Sequence, residues 1–127
     1  ATAAGGNGAL YLQLTTGTSA HRLQCNTYPT SYNNGVFRHF VITYDGSTYG
    51  SGVKFYIDNS QATTNIDFNN LGNTSIQNSV VVNLGQDGGG NYFNGMMDEL
   101  GVWTKVLNTT EIGNLYNSGN GQTLTIL

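Results

Sequence analysis

Apolar and polar residues alternate along much of the chain with the two-residue period of β-strands. In ALYLQL (residues 9–14), Leu10, Leu12 and Leu14 fall on one side and Ala9, Tyr11 and Gln13 on the other, which predicts a strand with one buried face. Residues 15–35 are turn-rich, with room for a short strand near His21–Cys25. In VFRHFVITYDG (36–46), Phe40, Ile42 and Tyr44 share a face until Asp45-Gly46 breaks the pattern with a turn. The polar loop STYGSG leads into VKFYIDN (53–59), which places Val53, Phe55 and Ile57 in the core. Asp58-Asn59 then tolerates the positive φ of a tight hairpin turn. SVVVNLG (79–85) predicts another strand, followed by the loop QDGGGN and by FNGMMDELGVW (93–103).

That last segment reads as a strand with Met96, Asp98, Leu100 and Val102 on one face and Met97, Glu99, Gly101 and Trp103 on the other. The Leu100/Val102 side looks like core, so Asp98 must be paired, bind a metal, or sit where the core opens to solvent. Glu99 points away from it. Helical periodicity is confined to LNTTEIGNLYNSG (107–119). There Asn108 and Glu111 have the spacing of a capping box, Ile112, Leu115 and Tyr116 form an apolar stripe, and Gly119 is placed to stop the helix.

Composition sharpens this all-β reading. Charged residues make up 9% of the chain, Gly numbers 18, and aromatics reach 11%, enough with regular alternation for a folded protein. At 127 residues a single domain over 1–127 is expected, with a real core, or a segment of something longer. The opening ATAAGGNG lacks an initiator Met, which suggests a processed product or an excised piece. A net charge of −3 and four scattered cations (Arg22, Arg38, Lys54, Lys105) leave no electrostatic footprint for nucleic acid. No apolar run reaches membrane-spanning length. Cys25 is alone, so neither an internal disulfide nor a thiolate zinc site can form.

The order of the pieces Arg38-His39-Phe40, Thr43-Tyr44-Asp45-Gly46, Lys54-Phe55-Tyr56-Ile57-Asp58, Phe93-Asn94-Gly95-Met96-Met97-Asp98-Glu99 and Leu107-Asn108-Thr109-Thr110-Glu111-Ile112 resembles the laminin-G-like, concanavalin-A-like lectin/glucanase family. Phe37 stands where that family usually has Trp, and Asn59 where it usually has Gly. The resemblance implies an antiparallel jelly-roll β-sandwich with one short C-terminal helix. The family's usual strands ahead of ALYLQL have no counterpart here, so this is a minimal version or its sheets are completed from elsewhere: by missing sequence, a homo-oligomer or neighbouring chains. The resemblance also implies that Asp98 ligates a structural Ca²⁺ with carbonyl oxygens from the start of the domain, against the alternative of a carboxylate accepting backbone N–H groups at a sheet edge. Asp87 could ligate calcium from its loop, although Asp-Gly is more often simply a turn.

Glucanase relatives use two catalytic Glu on one strand face. Here Glu99 falls on a strand and Glu111 in a helix cap, and Asp98 and Glu99 are adjacent and diverge; His21 and His39 have no nucleophile pattern. Catalysis is not expected. For binding, the loops carry Tyr28, Tyr32, Tyr49 and Tyr92, interleaved with Asn33, Asn34 and Asn91. Tyr rings stack on sugar C–H groups and Asn amides match hydroxyls, though both are also ordinary turn residues. Asn73-Thr74-Ser75 and Asn108-Thr109-Thr110 fit the glycosylation acceptor pattern, the second with a competing role as helix cap. The resulting expectation is a non-catalytic extracellular recognition or adhesion module for glycans. The alternative is a structural surface, decoration or fibre subunit of a virion or cell appendage, its partners being cell-surface or virion proteins.

Overall fold

The computed structural model describes residues 8–16, 20–72, 76–77, 79, 83–86 and 90–123. Six strands form two antiparallel three-stranded sheets. β1 (Tyr11–Thr15), β2 (Arg22–Asn26) and β6 (Asn65–Asn70) make one, in the order β1-β2-β6. β3 (Phe40–Tyr44), β4 (Val53–Ile57) and β5 (Ser60–Ala62) make the other. The core lies between them, where Leu23 and Cys25 of β2 meet Val53, Phe55 and Ile57 of β4, with Leu71 completing the cluster. Leu10, Leu12 and Leu14 pack against it, as the alternation of residues 9–14 requires.

The β4–β5 hairpin turns through Asp58 (φ 49°) and Asn59 (φ 66°), with Ile57 paired to Ser60. Two consecutive left-handed residues match the twist of a two-residue hairpin, which is why Asn59 substitutes for glycine there. The Asp58 carboxylate fastens the entry to β3: Oδ1 accepts the His39 N–H at 3.0 Å and Oδ2 accepts Arg38 Nη1 at 2.7 Å.

On β3, Phe40, Ile42 and Tyr44 lie across from Ile57, Phe55 and Val53 on the core side. Phe40 and Ile42 nonetheless remain about two-fifths exposed, at 42% and 41%, while the alternate residues Val41 and Thr43 are buried. The reason is α1 (Thr109–Tyr116), whose Ile112 packs with Leu107 on Val41 and Tyr56, on the outer face of the sheet. The capping box forms as the spacing predicts: Asn108 Oδ1 accepts the Glu111 N–H and Glu111 Oε2 accepts the Asn108 N–H, both at 2.9 Å. Lys105 Nζ donates to Glu111 Oε1. The helix ends earlier than expected, at Asn117 (φ 47°), whose N–H bonds to the Gly113 carbonyl; Gly119 (φ 92°) follows two residues later.

Two expectations change. β5 and β6 were not anticipated, because their sequences SQA and NIDFNN carry few apolar residues. No strand forms over 93–103, and Leu100 and Val102 are 63% and 89% exposed instead of core-facing. Glu99 takes a left-handed φ of 51°, which turns the chain between residues 98 and 100 and prevents one continuous strand. The middle of the strand expected at 79–85, the Asn73 glycosylation pattern and Asp87 lie outside the described residues.

Two measurements test this architecture. Asn108→Ala removes the cap and is expected to cost about 0.5–2 kcal/mol in denaturant unfolding, whereas Asn108→Gly costs only a few tenths of that scale; equal losses would argue against capping. His39 sits beside Tyr116 of α1, ring centroids 5.8 Å apart, with its Nδ1 buried and unpartnered. Burial holds its proton affinity below the usual value, with Asp58 opposing. The unfolded chain therefore binds that proton more tightly. Stability from neutral His39 is full above the unfolded pKa of about 6.5 and is lost as pH falls through it toward the lower folded value. The melting temperature is expected to decline from about pH 7.5 to about pH 5.5, and His39→Phe, which keeps a ring against Tyr116, to flatten that decline.

Candidate functional site

Strand β2 is the middle of its sheet, and its alternate residues Arg22, Gln24 and Asn26 point away from the core. Their cross-strand partners are Thr15, Gln13 and Tyr11 on β1 and Asn70, Phe68 and Asn65 on β6, so the outer face carries aromatic, amide and charged side chains. A register shift opposite Gln24/Cys25 leaves Asp67 as an extra residue on β6. Its carboxylate reaches Asn26, whose Nδ2 donates to Asp67 Oδ2 at 2.7 Å.

Asn26 is only 1% exposed, and its Oδ1 also accepts the Tyr28 N–H at 2.8 Å. Asn65 Nδ2 donates to the Tyr28 carbonyl, so Tyr28, joined to the following Pro29 by a cis bond, borders this end of the face. At the opposite end the Arg22 guanidinium lies 3.4 Å above the centre of the Phe68 ring. Two polar atoms of this face, Arg22 Nε and Gln24 Oε1, are buried without a hydrogen-bond partner. Burial, followed by the Asp67 charge, raises the Tyr11 phenol above its ordinary pKa, while Arg22 pulls it back. The Cys25 thiol on the core side is raised by burial and by Asp67.

The residues expected to bind are carried by three different loops. Tyr28, Tyr32, Asn33 and Asn34 share the loop after β2, but only Tyr28 meets the polar face. Tyr32 turns inward, packing on the core and edge-to-face on Phe40 with centroids 6.0 Å apart. Asn33 accepts the Ser31 hydroxyl at 2.6 Å and presses on Gly8, where a Cβ would come within 2.3 Å of it. Asn34 Oδ1 accepts the Val36 N–H at 3.4 Å, a local turn. Tyr49 is exposed beside β6, where the next residue, Gly50, donates to Asn69 Oδ1 at 2.8 Å. Asn91 and Tyr92 lie on a third loop, tied down by a bridge from Tyr92 to Gln86, with the Tyr92 ring 76% exposed.

Asp98 is exposed, and its Oδ1 accepts the N–H of Glu99 at 3.0 Å. Among the described residues no three His, Cys, Asp or Glu side chains group closely enough to hold a metal ion. The residues that sequence reasoning passed over are Arg22, Gln24, Asn26, Asp67 and Phe68. Their signal is the alternation of RLQCN, whose polar positions keep strict period two on a strand buried on its other face.

A hollow of about 520 Å³ lies on the outer side of the other sheet, between Thr43, Lys54, Tyr56 and the start of α1 at Asn108-Thr109. Its one carboxylate, Asp45, is engaged in its own turn, accepting the Ser47 N–H at 2.9 Å. Hydrogen bonds from Ser47 hold that carboxyl below its usual pKa.

Two antiparallel sheets enclosing one core, a short helix on the outside of one and a polar face on the other, define a sandwich module of carbohydrate-binding or structural type. The chain belongs to the concanavalin A-like lectin/glucanases superfamily: a laminin-G-type family model matches residues 2–113 of the 127. No characterised protein and no solved structure gives a significant match to the chain. Among the described residues no helix is long and apolar enough to cross a membrane.

The bond network at the Asn26 end has a measurable consequence. Asn26→Ala strands both the Tyr28 N–H and the Asp67 carboxylate, so unfolding free energy is expected to fall by about 1–3 kcal/mol; a change within experimental error would show that solvent replaces both bonds.

Proposed function

We propose that this domain is a non-catalytic, extracellular glycan-recognition module that reads carbohydrate on the outer face of the β1-β2-β6 sheet. The observation that carries the reading is the composition of that face. A half-exposed Phe68, the partly exposed Asn65 amide and the exposed Asp67 carboxylate lie together on β6, beside the Arg22 guanidinium of β2 and above the buried Gln24 and Asn26. Sugars need this pairing of an apolar surface for their C–H groups with amides and carboxylates for their hydroxyls. The family's lectins support the assignment, as does the extracellular setting common to laminin-G-like domains. The carboxylates suit binding better than hydrolysis, since Glu111 is engaged by Lys105 and Asn108 and held below its usual pKa by them.

A structural role as a subunit of a larger assembly is the second reading, and a different segment favours it. Phe93, Met96, Met97, Leu100, Val102 and Val106 are all more than half exposed, an apolar series that solvated monomers rarely display. Its outer sheet edges would suit pairing with a neighbouring chain.

One experiment separates the two. The intact protein, its oligomeric state fixed by light scattering, is applied to a glycan array beside Phe68→Ala and Tyr28→Ala. Recognition predicts retention of glycans by the wild type and a several-fold loss in both variants, since a stacking ring contributes about 0.5–1.5 kcal/mol beyond its area, with little change in melting temperature. A wild type that assembles but retains no glycan would favour the structural role.

A further inference from the structure

The hollow of about 520 Å³ on the outer side of the β3-β4-β5 sheet has a volume in the range of sites for small organic ligands. Strand pairing builds its floor: Thr43 lies directly opposite Lys54, and Tyr56 follows two residues along β4 on the same face. Tyr56 and Thr43 are only 6% and 7% exposed, yet no described residue hydrogen-bonds either hydroxyl, so both are left to whatever occupies the hollow. Lys54 forms no ion pair among the described residues. The acceptors at the edge are engaged. Asp45 Oδ1 takes the Ser47 N–H at 2.9 Å, and Asn108 Oδ1 takes the Glu111 N–H at the same distance. A half-exposed Val106 and a buried Leu107 give the hollow an apolar wall ahead of α1.

We propose that this hollow binds a small amphiphilic carboxylate, a single negative charge on a short aliphatic body. The site lies on the opposite sheet from the proposed glycan face and does not depend on it. An ammonium and two hydroxyls offer donors where the neighbouring acceptors are committed, so the ligand must bring acceptors of its own. Lys54 supplies one positive charge while Asp45 stands at the edge with a negative one, which suits a monoanion and opposes a dianionic phosphate. The carboxylate lies on the Lys54 ammonium and accepts the Tyr56 and Thr43 hydroxyls, bonds strengthened by its charge. The aliphatic body covers Val106 and Leu107, removing apolar surface from water.

The test is a nuclear magnetic resonance titration of the intact, isotope-labelled protein with hexanoate, with its neutral counterpart hexanamide, and with butyl phosphate. Hexanoate is expected to bind roughly tenfold or more tightly than hexanamide, the gain of a charge-assisted bond, and to shift the Val106 and Leu107 methyl resonances. Butyl phosphate, as the dianion, should bind more weakly than hexanoate. Lys54→Met, which keeps an unbranched stem without the charge, should abolish the difference between hexanoate and hexanamide. Tyr56→Phe and Thr43→Val should each weaken hexanoate several-fold while leaving the melting temperature unchanged or higher, because neither hydroxyl gives up a protein partner. A lowered melting temperature in both would assign the hydroxyls to the fold and overturn their place in the site. Equal affinity for hexanoate and hexanamide, no saturable shift with hexanoate, or shifts confined to residues away from the hollow would overturn the inference as a whole. The glycan array reports on the other sheet, so either proposal can fail while the other stands.

Discussion

Strand β2 is buried on both faces, and the rest of the molecule is arranged around that constraint. Its core side, Leu23 and Cys25, is fully buried against β4, while its outer side holds Gln24 and Asn26 at 8% and 1% exposure. Burying amides is costly unless they are hydrogen-bonded, so Asn26 must recruit Asp67 from β6 and the Tyr28 N–H from the following loop. The extra residue on β6 is what lets Asp67 arrive there, and the tie to Tyr28 fixes the loop that leaves the strand. Gln24 lacks the matching partner, and the incompleteness of its hydrogen bonding coincides with the stacked Arg22 and Phe68. Fold and candidate site thus share one strand: its odd residues hold the sheets together, and its buried even residues support the exposed Asp67 and Phe68 of β6.

Most of the architecture was legible because its determinants are local. Alternation in residues 9–14 and 53–57, the Asp58-Asn59 turn and the Asn108/Glu111 box each depend on a few neighbouring side chains, and each forms where expected. β6 was illegible for the opposite reason. NIDFNN offers only Ile66 and Phe68 as apolar positions, and it becomes a strand because β2 offers it a ladder. Residues 93–103 show the converse, an alternating pattern interrupted by the left-handed Glu99, a backbone choice that alternation does not report. The placement of Asp98 on a core-facing strand changes with it: without the strand its carboxylate is exposed and accepts the adjacent amide.

The candidate site was harder to read than the fold. Loop tyrosines are conspicuous in the sequence, yet Tyr32 joins the core and Asn33 and Asn34 serve their own turns. The face that gathers amides, charges and a ring is built from three strands distant in sequence, and only their register brings Gln24 opposite Phe68 or Asn26 beside Asp67. No local pattern encodes a register. The polar half of RLQCN was the single clue, and it gains meaning only once β2 is known to lie in the middle of its sheet.

The same distinction explains why the family was recognisable while the ligand was not. The motif residues touch one another: Asp58 holds Arg38 and the His39 backbone, the Tyr44 hydroxyl accepts the Thr48 N–H at 2.8 Å, and a Cβ on Gly52 would strike the Asp45 carboxylate at 1.9 Å. These contacts set hairpin geometry and helix docking, on the half of the sandwich that α1 covers. They constrain the chain whatever it binds. The exposed Phe68 of the β1-β2-β6 outer face makes no comparable contact with the core, so a change there is expected to alter the surface more than the fold. A shared scaffold with a separately variable face is the arrangement in which family membership specifies structure and leaves specificity to a few side chains.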